Sequence, residues 1–510
     1  MYNMGMSARV GTILESGMQG IQVDIECHIS NGLPNIIVVG FGNKAIDEAK
    51  ERIRSAFSEA NIDMPKKRIT LNLAPADVPK DGTSFDLAMA AAILQASKQI
   101  KADKLTGAII IGELGLDGSV RPVRGIIGKL LAGRKLGYTR CFIPEGNLAQ
   151  AQLVPGFTLT PVKTLRDFYL DQTDTAPLPT VQSGERAVGT TKTSNNYDFT
   201  DVIGQARAKR ALERPHRPSH NLLMNGPPGT GKSMLAKALP SILPPLELEE
   251  MLEVTHLHSL ASRQYDQIIS ERPFRAPHHS ASQISILGGG TTPRPGEISL
   301  SHRGVLFFDE LPEYTRQTLE ALRQPLEDKI ITVARAKDTL IFPAHFMLIA
   351  TANPCPCGFY GSTKSCSCTA NDIVKYQRKL SGPILDRIDL YVDVEEVEHA
   401  SLLGESKAET SKSIRNRVLN ARKLQQARYQ DPMIVNASLS NQQLKRNTHL
   451  ARDAKELLDK AATQLSISAR AYMRILKVAR TIADLDDSKS VEIPHITEAL
   501  QYRRQPQNTI

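Results

Sequence analysis

Tryptophan is absent, and aromatic residues make up only 5% of the 510 residues. Stacking of bases on an aromatic platform is therefore excluded as the main mode of nucleic-acid contact. Cysteine is scarce as well: six residues cannot staple a chain of this length, so a disulfide scaffold is ruled out. Four of those six are Cys355, Cys357, Cys366 and Cys368, a clustering that points to metal binding in a reducing compartment. No apolar run approaches the roughly 18 residues that a membrane-crossing helix requires. The opening MYNMGMSARV has no charged segment followed by an apolar core, so no secretory signal is expected. A cytoplasmic protein without membrane contact is predicted. Neither sign of charge is missing, but 63 Lys and Arg against 54 Asp and Glu leave a net +9, a mild bias toward a polyanionic partner. The hydrophobic content of 41% excludes global disorder, and the length fits about three domains.

Residues 1–168 read as a compact α/β unit. Ile21, Val23, Ile25, Cys27 and Ile29 alternate with polar residues, the period of a half-buried strand. Residues 35–40, 68–73, 108–111 and 141–143 are further strands, and the Ala-, Leu-, Glu- and Lys-rich stretches 45–60 and 85–97 are helices. Asp117-Gly118 marks a hairpin turn. Residues 169–197 are expected to be a flexible linker, because Thr, Ser, Gly and Pro dominate there. A second unit spans 198–400. In it a helix near 205–213 leads to a strand at 221–224, a Gly/Pro-rich loop, and a helix from 232. The continuous apolar runs 305–308 and 346–350 have the pattern of parallel strands covered on both faces. Residues 401–510 are expected to be helical, most clearly after a Ser468 N-cap, where Tyr472, Ile475, Leu476, Ala479 and Ile482 share one face.

Gly226, Pro227, Pro228, Gly229, Thr230, Gly231, Lys232 and Ser233 form a complete G-x-x-x-x-G-K-[ST] phosphate-binding loop between strand and helix. Its backbone N–H groups wrap phosphates, with the helix N-terminus adding its dipole. Lys232 reaches the β- and γ-phosphates and the Ser233 hydroxyl ligates Mg²⁺. Asp309 and Glu310 close the second apolar strand. Asp309 is placed in the Mg²⁺ shell, and Glu310 orients and polarises the attacking water. Asn353, at the end of the third strand, senses the γ-phosphate.

The segments TGKS (230–233), VLFFDELPEY (305–314), ATANPCPCG (350–358) and SGPILDRIDL (381–390) together resemble the magnesium-chelatase-like AAA+ proteins, and within them the ComM/YifB group. The N-terminal unit is similar to that group's Lon-protease-like domain. The resemblance implies an α/β fold class: a Lon-protease-like N-terminal domain, an AAA+ parallel-sheet core and a C-terminal helical lid. It also implies a homohexameric ring with ATP between subunits. Arg387 would reach the neighbour's γ-phosphate, Arg470 would sense the same phosphate from the lid, and Val202, Ile203 and Gly204 would edge the adenine pocket. A local ion pair within Asp386-Arg387-Ile388-Asp389 is the other reading of Arg387. The prolines of 214–219 shorten the helix before the phosphate-loop strand. Residues 272–304, with Arg275, His278 and His279, are similar to the clade's insert near the pore, and the histidines are assigned no metal. The activity implied is that of an ATP-driven DNA motor, a branch-migration helicase in homologous recombination or natural transformation. It would act on single-stranded and branched DNA without sequence preference. The alternatives are a chelatase-type ATPase that remodels a protein partner and a Lon-like Ser–Lys peptidase.

Cys355-x-Cys357 and Cys366-x-Cys368 are separated by eight residues, and four thiolates on one loop can supply a tetrahedral, closed Zn²⁺ shell of structural type. Buried free thiols or a redox pair are the other readings. Such a site, between Asn353 and Arg387, could brace the subunit interface. Residues 79–84 (PKDGTS) resemble the stretch that carries the Lon nucleophile, making Ser84 its counterpart, and Lys129, 45 residues on, falls at the activating lysine. Phe85-Asp86 replace small residues there, crowding the oxyanion region and favouring an inherited fold over a working peptidase. Residues 329–342 read as two extended runs around a charged turn. By similarity to related rings, Arg335 and Lys337 of that turn would meet DNA phosphates. Lys412, Arg415, Arg417, Arg422, Lys423 and Arg428 form a second basic stretch, either a solvated helix surface or a DNA track.

Overall fold

The computed structural model describes residues 6–40, 44–78, 80, 82–184, 197–213, 220–262, 267–290, 293–334, 339–380, 382–397, 409–431 and 434–503. The chain divides into two compact units, Met1–Thr190 with Glu247–Ser270, and Thr191–Leu246 with Glu271–Ile510.

In the first unit the alternating residues form long antiparallel strands, β1 (Met6–Ser16) and β2 (Gln19–Ser30). Next come β3 (Asn35–Val39), β4 (Arg68–Ala74), β5 (Ala108–Ile110), the short hairpin β6 (Glu113–Leu114) and β7 (Val120–Arg121), β8 (Arg140–Pro144), β9 (Thr158–Val162) and β10 (Val181–Gln182). The main sheet has eight strands in the order β10-β9-β8-β5-β1-β2-β4-β3. The helix Asp86–Ala96 has no polar face, since Leu87 to Leu94 are all buried, and it lies within the core against β1 and β2.

The expected linker at 169–197 begins inside the unit, not outside it. Helix Leu165–Gln172 runs into it, capped by Thr164 and Asp167, and β10 then pairs antiparallel with β9. The Ser183 hydroxyl accepts a hydrogen bond from the Phe157 amide at 2.8 Å. A two-residue edge strand needs no apolar alternation, so its polar, Pro-rich composition is that of a linker although its backbone is sheet.

The expected single AAA+ segment at 198–400 is interrupted. Helix Leu248–Ala261 belongs to the first unit, where it packs on helix Ile126–Lys135. The approach is close because Gly128 has no side chain: a Cβ there would overlap Cε1 and Nε2 of the His256 ring.

The second unit holds β11 (Leu222–Asn225), β12 (Phe274–Arg275), the hairpin β13 (Gly288–Gly289) and β14 (Arg294–Pro295), and β15 (Val305–Phe308). It continues with the hairpin β16 (Ile330–Ala334) and β17 (Thr339–Pro343), then β18 (Met347–Ala352) and β19 (Leu390–Asp393). A parallel sheet of five strands runs β12-β15-β18-β11-β19. Both of its faces are covered, as the unbroken apolar runs require. Leu222, Met224, Val305, Phe307, Met347 and Ile349 enter one core, while Leu223, Leu306, Phe308, Leu348 and Ala350 enter the other. The C-terminal region is helical as expected, and Ser468 caps helix Ala469–Leu485 by accepting the Ala471 amide. Ile414, Val418, Leu458, Ile475 and Ile482 of this region join the first of those cores. Helix Ala206–Leu212 stops ahead of the prolines of 214–219, a segment outside the described residues.

Burial and the charge of Lys129 push His256 from 6.5 down to about 4, so the folded first unit holds it neutral. The unfolded chain binds that proton first. Stability from this residue is therefore full above pH 6.5 and falls as the pH drops toward 4, by up to about 3 kcal/mol. Urea unfolding of the wild type should weaken more over this window than that of His256→Leu; equal slopes would refute the burial. Gly128→Ala should cost about 1–3 kcal/mol through overpacking, read from the same unfolding curves.

Candidate nucleotide-binding site

The register of three parallel strands builds the site. Leu222–Asn225 pairs with Ile349–Ala352, and Phe308 lies opposite Ala350, so the three strand ends deliver residues 226, 309 and 353 to one edge. The Thr351 hydroxyl donates to Asp309 Oδ1 at 2.6 Å and accepts the Glu310 amide at 2.8 Å. From the other side the Ser233 hydroxyl donates to Asp309 Oδ2 at 2.9 Å. Ser233 and Asp309, 76 positions apart, thus form one hydroxyl–carboxylate pair of the kind that holds Mg²⁺ by oxygen. Glu310 has φ 53°, a left-handed conformation that turns its side chain out of the strand, and it is exposed. The Lys232 ammonium donates to the carbonyls of Gly226 (2.6 Å) and Pro227 (2.7 Å) and to Asn353 Oδ1 (3.3 Å). Burial pushes the pKa of Lys232 below its ordinary value, opposed by the nearby carboxylates of Asp309 and Glu310.

Val202 is buried, and Gly204 stands at the start of the following helix. Gln205 ties this edge to the loop: its amide donates to the Thr230 carbonyl at 3.3 Å and to the Glu395 carbonyl at 2.7 Å. Sequence reading missed Gln205 and Thr351. Only Thr351 had a signal, since a hydroxyl one residue past the point opposite Phe308 must face the Asp309 carboxylate.

Arg387 and Arg470 converge on a third group that sequence reading also missed. Both pair with Glu327, Arg470 at 3.4 Å, and the Arg387 guanidinium holds the Glu327 carboxyl below its usual range. The local alternative for Arg387 is not what forms, since Asp389 accepts the Asn221 amide at 2.9 Å and faces His220.

The four loop thiols come together. Sγ separations are 3.4 Å for Cys355–Cys357, 3.5 Å for Cys357–Cys366 and 3.7 Å for Cys355–Cys366, and all four lie within 4.8 Å of one another. A tetrahedron with Zn–S bonds of about 2.3 Å has edges of about 3.8 Å, so the donor set fits that ion. The amide of Phe359 and then that of Ser367 pull the Cys357 thiol down to about 5, which favours a thiolate. No other group of three or more potential ligands is found among the described residues.

Comparison with known proteins agrees with this geometry. Residues 198–402 match the family model for magnesium chelatase, subunit ChlI; residues 25–147 match a second model of that subunit, and 408–503 match the model of its C-terminal part. Competence protein ComM of Haemophilus influenzae is 43% identical over 491 residues, covering 96% of this chain and 95% of that protein. The uncharacterized protein YifB of Salmonella typhimurium is 39% identical over 502 residues, 97% of each chain. The chain belongs to the ComM/YifB group of magnesium-chelatase-like AAA+ proteins. A Lon protease of Mycolicibacterium smegmatis is 28% identical over 150 residues, 28% of this chain and 19% of that protein, a likeness to part of that enzyme only.

Membership in this AAA+ group implies ATP and Mg²⁺. Ser233 and Asp309 are the residues to hold the ion, the loop 226–232 the phosphates, and bound Mg²⁺ would neutralise charge on the phosphoryl oxygens. The Lon-like unit of the group does not assemble a Ser–Lys dyad here. Lys129 is buried and donates to the Ile13 carbonyl at 3.3 Å, facing Glu15 and His256, while Ser84 makes no hydrogen bond to it. Asp86, just beyond, is held by Arg52 at 2.7 and 3.1 Å. Burial lowers the pKa of Lys129, and its amine is engaged by the Ile13 carbonyl.

Arg335 and Lys337 lie outside the described residues; the strands flanking them, β16 and β17, pair antiparallel up to Ala334 and Thr339. The second basic stretch is largely consumed by the fold. Arg417 pairs with Glu213 at 2.7 Å, Arg422 donates to the Ile434 carbonyl at 2.7 Å, and Arg428 pairs with the buried Asp484 at 2.5 Å. Lys412 and Lys423 remain exposed. Arg275 pairs with Glu297 at 2.6 Å, and His278 stacks on His279 with ring centroids 4.1 Å apart.

Glu310→Gln should leave ATP binding near the wild-type level and slow turnover by at least about 100-fold, since only the polarising carboxylate is lost. Nucleotide titration and steady-state phosphate release check this; wild-type turnover would remove Glu310 from the reaction.

Proposed function

We propose that the protein is an ATP-driven motor that moves branched DNA, assembled as a homohexamer with ATP between subunits. The observation that carries the reading is the placement of Arg387. In its own chain it is bound to Glu327, not to the phosphate loop, as expected of an arginine supplied to a neighbour's nucleotide. Arg470 pairs with the same carboxylate, and its role as the arginine that meets the phosphate from the lid rests on the family resemblance. Likeness to a competence protein along 96% of the chain supports DNA as the substrate, through branch migration during recombination or natural transformation. The net charge of +9 agrees with a polyanion. Binding would be made through backbone phosphates of single-stranded and branched DNA, with Arg335 and Lys337 as the pore residues. Zn²⁺ occupies the four-thiol site as a structural ion, and a cytoplasmic location agrees with thiols kept free for a metal; no helix among the described residues is long and apolar enough to cross a membrane.

The second reading, a chelatase-type ATPase that remodels a protein partner, rests on the family models matched along the chain. DNA-stimulated ATP hydrolysis separates the two. A Lon-like peptidase is disfavoured because Lys129 bonds to the Ile13 carbonyl and not to Ser84.

The decisive assay moves synthetic three- and four-way junctions with and without ATP. Arg335→Ala with Lys337→Ala should weaken DNA binding alike for all sequences and flatten its salt dependence by roughly one unit of slope for each phosphate no longer neutralised. Basal ATPase should persist. Arg387→Ala should abolish hydrolysis and spare ATP-supported DNA binding. A wild-type protein whose ATPase ignores DNA and which leaves junctions in place would overturn the motor.

A further inference from the structure

The loop that carries the four cysteines is joined to the nucleotide site at its start and in its middle. It begins at Asn353, whose side chain accepts the Lys232 ammonium at 3.3 Å. Pro354, next in line, is fixed by Gln377, which donates to its carbonyl at 3.1 Å from helix Ala370–Arg378. That helix starts directly after Cys368, with Thr369 as its cap. Between these ends the loop touches the phosphate loop itself. Gly358 has φ +85°, and a Cβ built on it would lie 2.6 Å from Cδ and 3.2 Å from Cγ of Pro228. Pro228 has no N–H to offer a phosphate, so its ring is free to serve as a packing surface. The Thr363 hydroxyl donates to Glu396 at 2.7 Å, beside Glu395, whose carbonyl receives Gln205.

Apart from the thiols, the Gly358–Pro228 contact and the Thr363–Glu396 bond, little burial holds this loop in place. Of residues 356–368 only Gly358 is buried; Phe359 and Tyr360 are half-buried, and the remainder is Pro, Gly, Ser, Thr, Lys and the cysteines. Fixing a backbone residue costs about 1–2 kcal/mol, and so polar a segment has little burial to offset it. The crosslink falls where the need is: Cys355 and Cys357 precede Gly358 on the strand side, and Cys366 and Cys368 return the chain to the helix. The Tyr360 amide donates to Cys355 Sγ at 3.3 Å and the Cys357 amide to Cys368 Sγ at 3.4 Å, the amide-to-sulfur pattern that steadies coordinating thiolates.

We propose that the metal held by Cys355, Cys357, Cys366 and Cys368 is a working part of the nucleotide site: it clamps Gly358 against Pro228 and Asn353 toward Lys232, so metal occupancy sets nucleotide affinity. The proposal rests on the structural Zn²⁺ of the preceding section and adds a function to it. The ion touches no phosphate. It acts through loop position, and a protein stripped of it retains every phosphate ligand but binds nucleotide weakly.

The test uses the full chain, with zinc measured by elemental analysis and affinity read from a fluorescent ATP analogue in excess Mg²⁺. Removal of zinc by a chelator that spares Mg²⁺ should weaken nucleotide binding about tenfold, and Zn²⁺ alone, added back, should restore it. Cys366→Ser with Cys368→Ser should match the stripped protein. Gly358→Ala retains all four thiols: it should bind stoichiometric zinc yet lose about tenfold in nucleotide affinity. Wild-type affinity in Gly358→Ala, or in a metal-free protein that remains folded by circular dichroism, would overturn the clamp while leaving the zinc site standing. Reduced protein purified without chelator and carrying no zinc, or an intact disulfide found among the four thiols, would overturn the metal itself. Should the double cysteine variant fail to fold, Gly358→Ala and reversible stripping still decide the matter.

Discussion

The bond between the Thr351 hydroxyl and Asp309 is the joint on which the nucleotide site depends. One side chain accepts from the Glu310 backbone and donates to the Asp309 carboxylate, so the orientation of both acids is fixed from a neighbouring strand. Nothing in the short segment Asp309-Glu310 could do this alone, because a chain leaving a strand has no partner for its next amide. The parallel register supplies that partner, and it does so because apolar runs on β11, β15 and β18 leave no alternative pairing that buries both faces. Core packing thus sets the position of charged groups that never enter the core.

Local signals were legible and long-range ones were not. The phosphate loop, the acidic strand end at Asp309 and the Ser468 cap are short patterns whose geometry follows from their own residues. The membership of helix Leu248–Ala261 in the other unit depends on Gly128, which sequence offers only as one glycine among many. The edge strand β10 was hidden for the opposite reason: at a sheet margin, pairing is by backbone alone and leaves no mark on composition. Glu327 was illegible because its meaning lies in two arginines 60 and 143 positions away. The basic stretch after residue 411 shows the reverse error of counting charge without partners, since Glu213 and Asp484 arrive from distant segments to neutralise part of it and Glu409 does so from just ahead of the helix.

Glu327 itself is half-exposed, and so is Arg470. Pairs of that kind contribute about 0–1 kcal/mol to stability, so the fold does not depend on them. An arginine that exchanged such a carboxylate for a phosphate, with its greater charge and more acceptor oxygens, would do so at little cost to the protein. The contrast is Arg480, wholly buried and bonded to Asp484 at 2.8 Å, where loss of the carboxylate would leave a stranded charge.

The helix that the first unit takes from residues 247–270 has a consequence for how the chain is made. Domains ordinarily fold in order of synthesis, each closing before the next appears. Here the N-terminal domain has its strands complete by residue 182, yet the piece that covers Gly128 is encoded after the phosphate loop and ends some 80 residues past Thr190. At roughly 5–20 residues per second, the ribosome holds that notch open for about 4–16 s while the first part of a second domain is already emerging. A gene cut at the apparent boundary near residue 190 would leave out the helix that covers Gly128 in the first unit.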